Sequence, residues 1–462
     1  MVAACPIFKI MKKNDIIPLK IESVTLEGNG VGFFDETGVF VPYTAVGEEI
    51  EARVVKLQKN YAFGIIERLI TPSKERIKPD CPVFGKCGGC AFRHISYAEE
   101  LKIKQNAVEQ VMRRIGGADP AKIQPIFGGI RQNEFRNKVQ YPAAMGEDGK
   151  IAFGFFAKRS HRVVSVAGCR LQEPIFKDAL EIVTLWANKN RLTAYNEGEG
   201  TGLLRHIFLR YAAGGDELMV MPVINGKIPP CAPELADMLK GRLGKSFVSL
   251  MFNINKKDTN VILGEKCIPI WGKEKIVDKV CGISLGISPL AFSQTNHDMA
   301  EQLYLKVAEL LPENCENLID LYCGGGAIGL TVAHRCKNLI GVEIVPAAVE
   351  DAVENAKLNG ITNARFICAD AAKAAEQLKK EGISADAVIL DPPRKGCDEA
   401  LLSTVAHSFC PERIVYVSCN PATLARDTKF LQSAGYSLIS ATPYDLFPRP
   451  AHCETVALFR RA

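Results

Sequence analysis

Two groups of residues in this 462-residue chain have the types and spacing to do chemistry. The first is Cys81, Cys87 and Cys90, a C-x5-C-x2-C run with Gly85, Gly88 and Gly89 among the cysteines. Glycine tolerates backbone conformations closed to other residues, so such a loop can turn several sulfurs onto one centre. Thiolates gathered in that way suit zinc or an iron–sulfur cluster, and either usually takes a fourth ligand. Cys169, in SVAGCRLQ, is the best candidate for it, because it too occupies a short polar stretch between strand-like runs. Ligand type alone leaves zinc and 4Fe–4S open, and a set of unliganded thiols is the plainer alternative.

The second group lies in the C-terminal half. Asp320-Leu-Tyr-Cys-Gly-Gly-Gly-Ala-Ile-Gly329 follows an apolar run and precedes a helical one, and Gly324, Gly326 and Gly329 satisfy G-x-G-x-x-G. Glu343 closes the next strand. A tight turn there brings backbone against a nucleotide-like ligand, and the acid can take ribose hydroxyls. The same pattern serves several nucleotide cofactors, and glycines also allow plain helix-on-strand packing. Asp370, in FICAD, falls at the end of the third strand, where an acid can meet an adenine amino group. Asp391-Pro-Pro-Arg-Lys-Gly ends the fourth strand and Ser-Cys419-Asn-Pro the fifth. Ligands of open α/β sheets sit beyond the carboxyl ends of the strands, so Cys419 points at the same crevice. A lone cysteine is ordinarily a small buried hydrophobe, but a strand end flanked by Asn420 and Pro421 suits a nucleophile better. Glu454, in HCETVALF, adds a carboxylate just before an apolar strand.

These residues need elements to hold them. Residues 20–70 read as short strands (IESVTL, GVGFF, GVFVPY, EEIEARVVKLQ and YAFGIIERLI) separated by glycine-containing turns, the pattern of a small antiparallel barrel. That stretch resembles a TRAM domain, an OB-like barrel carried by RNA-modifying enzymes. TPSKERIKPD, 71–80, reads as a linker, and SYAEELKIKQNAVEQVMRRIGG as a helix stopped at Gly116 and Gly117. Residues 125–290 mix strand-like runs with one helix near PIFKDALEIVTLWANKN, as in an α+β domain. From about residue 291, strands and helices alternate in the rhythm of a doubly wound parallel sheet. The expected fold is therefore multidomain. It has a small antiparallel β-barrel over 12–72, an α+β central domain with the metal-binding cysteines over 73–290, and a Rossmann-like α/β domain over 291–462.

Composition narrows the class. Hydrophobic residues at 47% and charged residues at 24% are ordinary for soluble proteins. No apolar run approaches the ~20 residues that span a bilayer. The opening MVAACPIFKI is too short for a signal peptide, and Met11, before KKND, is a second candidate start. Sixteen scattered cysteines read as the reduced thiols of a cytoplasmic protein, for which a monomer is the default. The net charge of +5 is uneven: residues 74–170 hold 18 Lys and Arg against 9 Asp and Glu. Such a basic segment is either the footprint of a polyanion or a solvated face.

DLYCGGGAIGL, DPPRKGC, VSCNPATLARD and HCETVALF, together with FRNKVQYP and the cysteine run, resemble the RNA uracil-C5 methyltransferases that use S-adenosylmethionine. The resemblance extends over nearly the whole chain from Met11. It implies a 4Fe–4S cluster rather than zinc on Cys81, Cys87, Cys90 and Cys169, although the spacing is not the C-x3-C-x2-C of radical enzymes. It implies cofactor contacts at Gln294 (in AFSQTN), Tyr322, Glu343, Asp370 and Asp391, a nucleophile at Cys419 and a base at Glu454. Ala327 departs from the pattern, since some members carry a polar residue after the glycines, and one contact to the methionine moiety is not carried over. Members with a TRAM-like barrel and a cysteine run mostly act on 23S ribosomal RNA, which makes that the expected substrate and transfer RNA the alternative. Arg131, Arg136, Lys138, Arg159 and Arg162 are expected to hold phosphates while aromatics such as Phe135 stack on bases, the target uracil being extruded.

The chemistry needs these residue types. Carbon 5 of uracil is a poor nucleophile, and a thiolate adding at carbon 6 loads electron density onto it. A base must then remove the carbon 5 proton so that the cysteine can leave. A nicotinamide-dependent oxidoreductase would use the glycine loop and Glu343, but not Cys419, Glu454 or the cysteine run. A non-catalytic RNA-binding protein would use the barrel and the basic segment, but has no need of the SCNP cysteine.

Overall fold

The computed structural model describes residues 11–166 and 168–462; the MVAACPIFKI stretch lies outside them. The chain forms two compact units. One holds the residues up to Val108 together with Arg449–His452, and the other Glu109–Pro448 with Cys453–Ala462.

The first unit is built on six strands, β1 (Ile16–Lys20), β2 (Ser23–Val24), β3 (Asn29–Phe34), β4 (Thr37–Pro42), β5 (Glu49–Leu57) and β6 (Tyr61–Thr71). They pair in the order β1-β5-β6-β4-β3-β2. The two outer strands are consecutive in the chain. Ile21 donates its N–H to Glu48 O at 2.8 Å and Glu22 donates to Val31 O at 2.9 Å, so the sheet closes on itself. Alternating residues, Ile17 and Leu19, Val39 and Val41, Ile50, Ala52 and Val54, fill the interior. The expected barrel is there with two differences. An additional strand, β1, precedes IESVTL, and β4 pairs with β6 in parallel because the long β5 returns the chain to the same end. Residues 71–80 are not a bare linker: Arg76 donates to the buried Glu48 carboxylate (Nη2 to Oε2, 2.8 Å) and to Tyr43 O. Helix α1 (Tyr97–Arg114) follows and ends just before the two predicted glycines.

The second unit has two seven-stranded sheets. The first contains β7 (Lys138–Met145), β8 (Ile151–Phe156), β9 (Val163–Ser165), β10 (Leu204–Ala212), β11 (Glu217–Ile224), β12 (Phe247–Ile254) and β13 (Lys266–Gly272), with helices α2 (Ile175–Lys189) and α3 (Ala232–Leu243). Its order is β13-β12-β11-β10-β7-β8-β9. Only β11 and β12 run parallel, and α3 supplies the crossover that parallel neighbours require. A hairpin, β14 (Ile276–Val280) and β15 (Ile283–Ile287), leads to α4 (His297–Leu310).

The second sheet alternates as the sequence predicts: β16 (Cys315–Leu321), α5 (Ala327–Val332), β17 (Cys336–Glu343), α6 (Pro346–Leu358), β18 (Ala364–Cys368), α7 (Ala371–Lys380), β19 (Ala387–Leu390), α8 (Glu399–Thr404), β20 (Arg413–Ser418) and α9 (Pro421–Ser433). A final pair, β21 (Tyr436–Tyr444) and β22 (Glu454–Arg461), completes the order β18-β17-β16-β19-β20-β22-β21. The first five strands are parallel, and β22 runs antiparallel to both neighbours. Strands buried on both faces read as continuous apolar runs, as AVIL of β19 does. No helix of the described residues is long and apolar enough to cross a membrane.

The barrel seam makes a testable demand on Gly32, where an added Cβ would lie 2.5 Å from Lys20 O. Backbone cannot swing aside as a side chain can, so Gly32→Ala should destabilise the first unit by about 1–3 kcal/mol. Thermal unfolding followed by hydrogen exchange over residues 16–42 checks this; unchanged protection would contradict the closed seam.

Candidate active site

The order of the second sheet reverses between β16 and β19, which is where open α/β sheets bind ligands. A pocket enclosing about 790 Å³ of atom-free space, solvent at its mouth included, opens there and is lined by Asp320, Tyr322, Gly324, Gly325, Gln294 and Asp391, among others. Tyr322, Gly324 and Gly326 have φ of 67°, 54° and 83°, so the loop turns through left-handed backbone that glycine favours. Glu343 pins this turn, accepting from Gly324 N at 3.1 Å and Val345 N at 2.9 Å. Of the five expected cofactor contacts, Gln294, Tyr322 and Asp391 line the pocket itself. Glu343 holds the loop beside it. Asp370 caps α7 through Ala372 N and Lys373 N, with its charge felt by the Tyr322 hydroxyl.

The pocket wall is acidic. Asp320 accepts from Gly329 N at 3.0 Å, while its other oxygen is buried with no partner among the described residues. Burial, reinforced by the charge of Asp391, pushes its carboxyl up to about 8. A Cβ at Gly329 would lie 2.7 Å from this carboxylate, which explains the third glycine of the motif. An orphaned buried carboxylate oxygen is costly unless a cation or a donor meets it. The residues present therefore fit a ligand that carries both, as a sulfonium amino acid does.

The walls are held by side-chain bonds to backbone. Asn355 on α6 accepts from Gly286 N at 2.7 Å and donates to Gly325 O at 3.0 Å, and Asn359, one turn on, brackets Ser284. Asp351, one turn earlier, accepts from Ser288 and Lys275. The hairpin is thus clipped to one face of α6 at a spacing of four residues. On the opposite side Asn137 donates to Gln294 O and its N–H to Thr295 O, while buried Arg210 donates to Ser288 O and Ala291 O. His297, bonded to Asp278 at 3.2 Å, also lines the pocket.

Cys419 and Glu454 meet across the β20–β22 pairing. Ser418 faces Thr455, so the next register position brings the first residue after β20 opposite the first of β22. The thiol feels the carboxylate. Burial, then the charges of Glu454 and Asp391, raise the Cys419 thiol to about 11, and the Arg394 cation opposes them. Glu454 is buried, and burial with the charge of Asp391 lifts its carboxyl to about 8, again against Arg394. Asp391, itself raised by burial to about 7, belongs both to the pocket lining and to this pair. The loop that carries Asp391 and Arg394 is clamped by α9. Asp427 accepts from Cys397 N at 3.0 Å and Tyr416 OH at 2.7 Å, and Arg426 donates to Lys395 O and Cys397 O.

Comparison with known proteins decides the family. A model described as tRNA (Uracil-5-)-methyltransferase matches residues 283–462, and one described as TRAM domain matches residues 12–66. An RNA methyltransferase of Halalkalibacterium halodurans, uncharacterised, is 39% identical over 449 residues, covering 97% of each chain. One of Clostridium tetani is 38% identical over the same length, again at 97% of each. The protein belongs to the RNA (uracil-5-)-methyltransferase family. Its fold matches the crystal structure of Pyrococcus abyssi tRNA (uracil-54, C5)-methyltransferase in complex with S-adenosyl-L-homocysteine, with a TM-score of 0.77, 26% identity, and 96% and 99% of the two chains covered. The chain is thus an S-adenosylmethionine-dependent RNA methyltransferase with an N-terminal TRAM domain.

Within this methyltransferase some expectations need correction. Phe135 is fully buried and cannot stack on RNA; it is a core residue whose N–H, like that of Arg136, bonds to Leu171 O. Arg131 is committed to Asp298 at 2.6 Å and Glu173 at 3.1 Å. Arg136 donates to Lys138 O, and Lys138 lies over the exposed Phe292 ring, its amine pushed down to about 8 by burial and by Arg210 and Arg136. Arg159 and Arg162 are exposed. The cysteine run is half-buried in the first unit. Burial raises the Cys87 thiol, Gly89 N–H opposes this at 3.4 Å from the sulfur, and Cys90 and Cys81 raise it further. Cys169 belongs to the second unit. Among the described residues no group of three or more His, Cys, Asp or Glu is arranged to hold a metal ion, so the expected cluster domain is not shown.

The charges around Cys419 make a signed prediction. A carboxylate disfavours a neighbouring thiolate and a cation favours it. Glu454→Gln should therefore lower the Cys419 thiol from its raised value, and Arg394→Ala should raise it further. The pH dependence of iodoacetamide alkylation at Cys419 reads both shifts, and shifts of the opposite sign would show that the three groups do not share one field.

Proposed function

We propose that the enzyme transfers a methyl group from S-adenosylmethionine to carbon 5 of a uridine in 23S ribosomal RNA, giving 5-methyluridine through a covalent Cys419 adduct at carbon 6. The observation that carries this reading is the register of β20 against β22, which faces the thiol with a buried carboxylate at the edge of the acidic pocket. Gln294, Tyr322 and Asp391 would contact the methyl donor, with Glu343 and Asp370 holding the turn and the helix end that frame its nucleoside portion. The bound donor supplies an electrophilic methyl on a positively charged sulfur.

The remaining steps fall to the chain's own residues. Cys419 gives up its proton to solvent and its sulfur bonds to carbon 6, so that the ring electrons move toward carbon 5 and the carbonyl oxygen. Arg394 favours the thiolate against Asp391 and Glu454. Once carbon 5 has taken the methyl, Glu454 accepts the carbon 5 proton, the double bond re-forms, and the Cys419 sulfur leaves carbon 6. A carboxyl lifted to about 8 suits a base working near neutral pH.

The choice of 23S ribosomal RNA rests on the barrel over 12–72 and the cysteine run, a combination the sequence shares with enzymes of that substrate. Transfer RNA is the second reading, favoured by the likeness to the Pyrococcus abyssi tRNA (uracil-54, C5)-methyltransferase. We read the chain as a cytoplasmic monomer. Tritium release from carbon 5 of labelled uridine, run on 23S and transfer RNA transcripts, separates the two readings. Release should occur on ribosomal RNA alone and vanish in Cys419→Ala, while Glu454→Gln should accumulate a covalent RNA adduct. Full activity in Cys419→Ala would sink the mechanism, and release from transfer RNA would overturn the substrate.

The 4Fe–4S cluster on Cys81, Cys87, Cys90 and Cys169 is part of the same proposal. It is supported by the family resemblance and by the closeness of the first three cysteines, Cys90 and Cys81 both acting on the Cys87 thiol, and no step of methyl transfer runs through it. Protein purified without oxygen should carry about four iron and four sulfide per chain, lost in Cys87→Ser. Stoichiometric zinc in place of iron would refute the cluster.

A further inference from the structure

A second concave site lies in the sheet of β7 to β13 and shares no lining residue with the pocket at β16 and β19. It encloses about 1150 Å³ of atom-free space, solvent at its mouth included. Strand β10 is bulged between Leu204 and His206 where it pairs with β11. Adjacent side chains of a regular strand point to opposite faces, whereas a bulge re-aims them. Arg205 and His206, neighbours in sequence, consequently both line this groove.

His206 is the unusual member. It is 7% exposed, and neither ring nitrogen has a hydrogen-bond partner among the described residues. Buried polar atoms in native proteins are nearly always paired, so a groove-lining imidazole with two buried nitrogens lacking a partner among the described residues calls for one from outside. Burial and the neighbouring Arg205 cation hold the ring down to about 4, which keeps it neutral at physiological pH, with one donor and one acceptor. Beside it Arg205 stacks on Tyr195 with its guanidinium carbon 4.3 Å from the ring centroid, fixed by bonds to Asn255 O and Lys257 O. Phe156 and Met145 add apolar wall, and the adjoining loop carries the exposed Arg159 and Arg162.

We propose that this groove binds an unstacked nucleobase of the RNA substrate other than the target uracil, with His206 reading the base edge. A flat π surface, a neutral group offering one donor and one acceptor, and cations at the rim match in turn the face, the edge and the phosphate of a single nucleotide. The inference rests on the reading of the chain as an RNA methyltransferase, and it adds a recognition site outside the reaction centre.

The test uses the full-length enzyme and four probes, AMP, GMP, CMP and UMP, followed by saturation-transfer NMR on the base protons. At least one should give base-proton signals that disappear in His206→Leu. With whichever RNA the wild type methylates, His206→Leu should raise KM about tenfold, in line with the loss of one base contact, and leave kcat within about twofold. Tyr195→Ala should do the same and covers a His206→Leu chain that does not fold. Ribose-proton signals from ribose 5-phosphate as strong as those from the nucleotides would overturn the proposal, since the sugar phosphate alone would then be recognised. So would two folded variants with unchanged KM and unchanged probe signals. If wild type methylates no RNA yet the monophosphates bind in a His206-dependent way, the functional reading fails and the groove stands.

Discussion

Burial of Asp320, Asp391 and Glu454 at one end of the second sheet raises the proton affinity of each above that of a solvated carboxylate. The cause is first desolvation and then the charge of Asp391 acting on the other two. A carboxylate in a poorly solvated crevice is expensive to ionise, and several close together are worse. Such an arrangement persists in a folded chain only because the strand ends that present these residues are fixed by a large apolar core. Its consequence is an appetite for positive charge. A cation entering the crevice is attracted by carboxylates that water screens poorly, and its arrival makes their ionisation easier. Asp391 is the pivot, because it lines the pocket and also acts on Cys419.

A crevice of this kind is useful only if its walls stay put, and here loops make more of the wall than strands do. The structure solves the problem with side chains that bond directly to backbone. Asn355 ties Gly286 to Gly325, Asn137 ties the segment of Gln294, Arg210 ties residues 288–291, and Arg426 with Asp427 ties the loop of Asp391 and Arg394. Each bond contributes only about 1 kcal/mol net, but leaving its buried partner unmade costs about 1–3 kcal/mol. The loops are thereby held in one arrangement even though they lie outside regular structure. Pre-positioning of this sort is what converts neighbouring groups into a reacting set.

Much of this was legible in the sequence, and the reason differs by region. The alternating strands and helices after residue 291 announce themselves, because both faces of a parallel sheet are covered and its strands are plainly apolar. The positions of Asp320, Glu343, Asp391 and Cys419 followed, since each closes a strand. Glu454 was harder: its place opposite Cys419 depends on β22 running antiparallel, which no local pattern states. Asp351, Asn355 and Asn359 were visible as a four-residue polar spacing, but such a stripe normally marks a solvated face. Phe135 was misjudged because an aromatic residue among basic ones reads equally as a stacking platform or as core. Arg131 misled in a similar way, its acidic partners Glu173 and Asp298 being remote in sequence. The parallel β4–β6 pairing of the barrel was invisible for the same reason.

The coupling through Asp391 gives the proposed chemistry an order in time. While a cationic methyl donor occupies the pocket, its charge lowers the proton affinity of Asp391, and both groups shape the field at Glu454 and Cys419. The cation by itself favours the thiolate, which has to form first, whereas an ionised Asp391 opposes it. Transfer of the methyl leaves a neutral sulfur behind, and the positive charge is gone from the crevice. The proton affinity of the nearby carboxylates then rises, and it does so at the stage when Glu454 has to take a proton from carbon 5. An anionic cluster that would be a liability in an ordinary core thus serves both halves of the proposed reaction, drawing in the cation that favours the nucleophile and strengthening the base once that cation has gone.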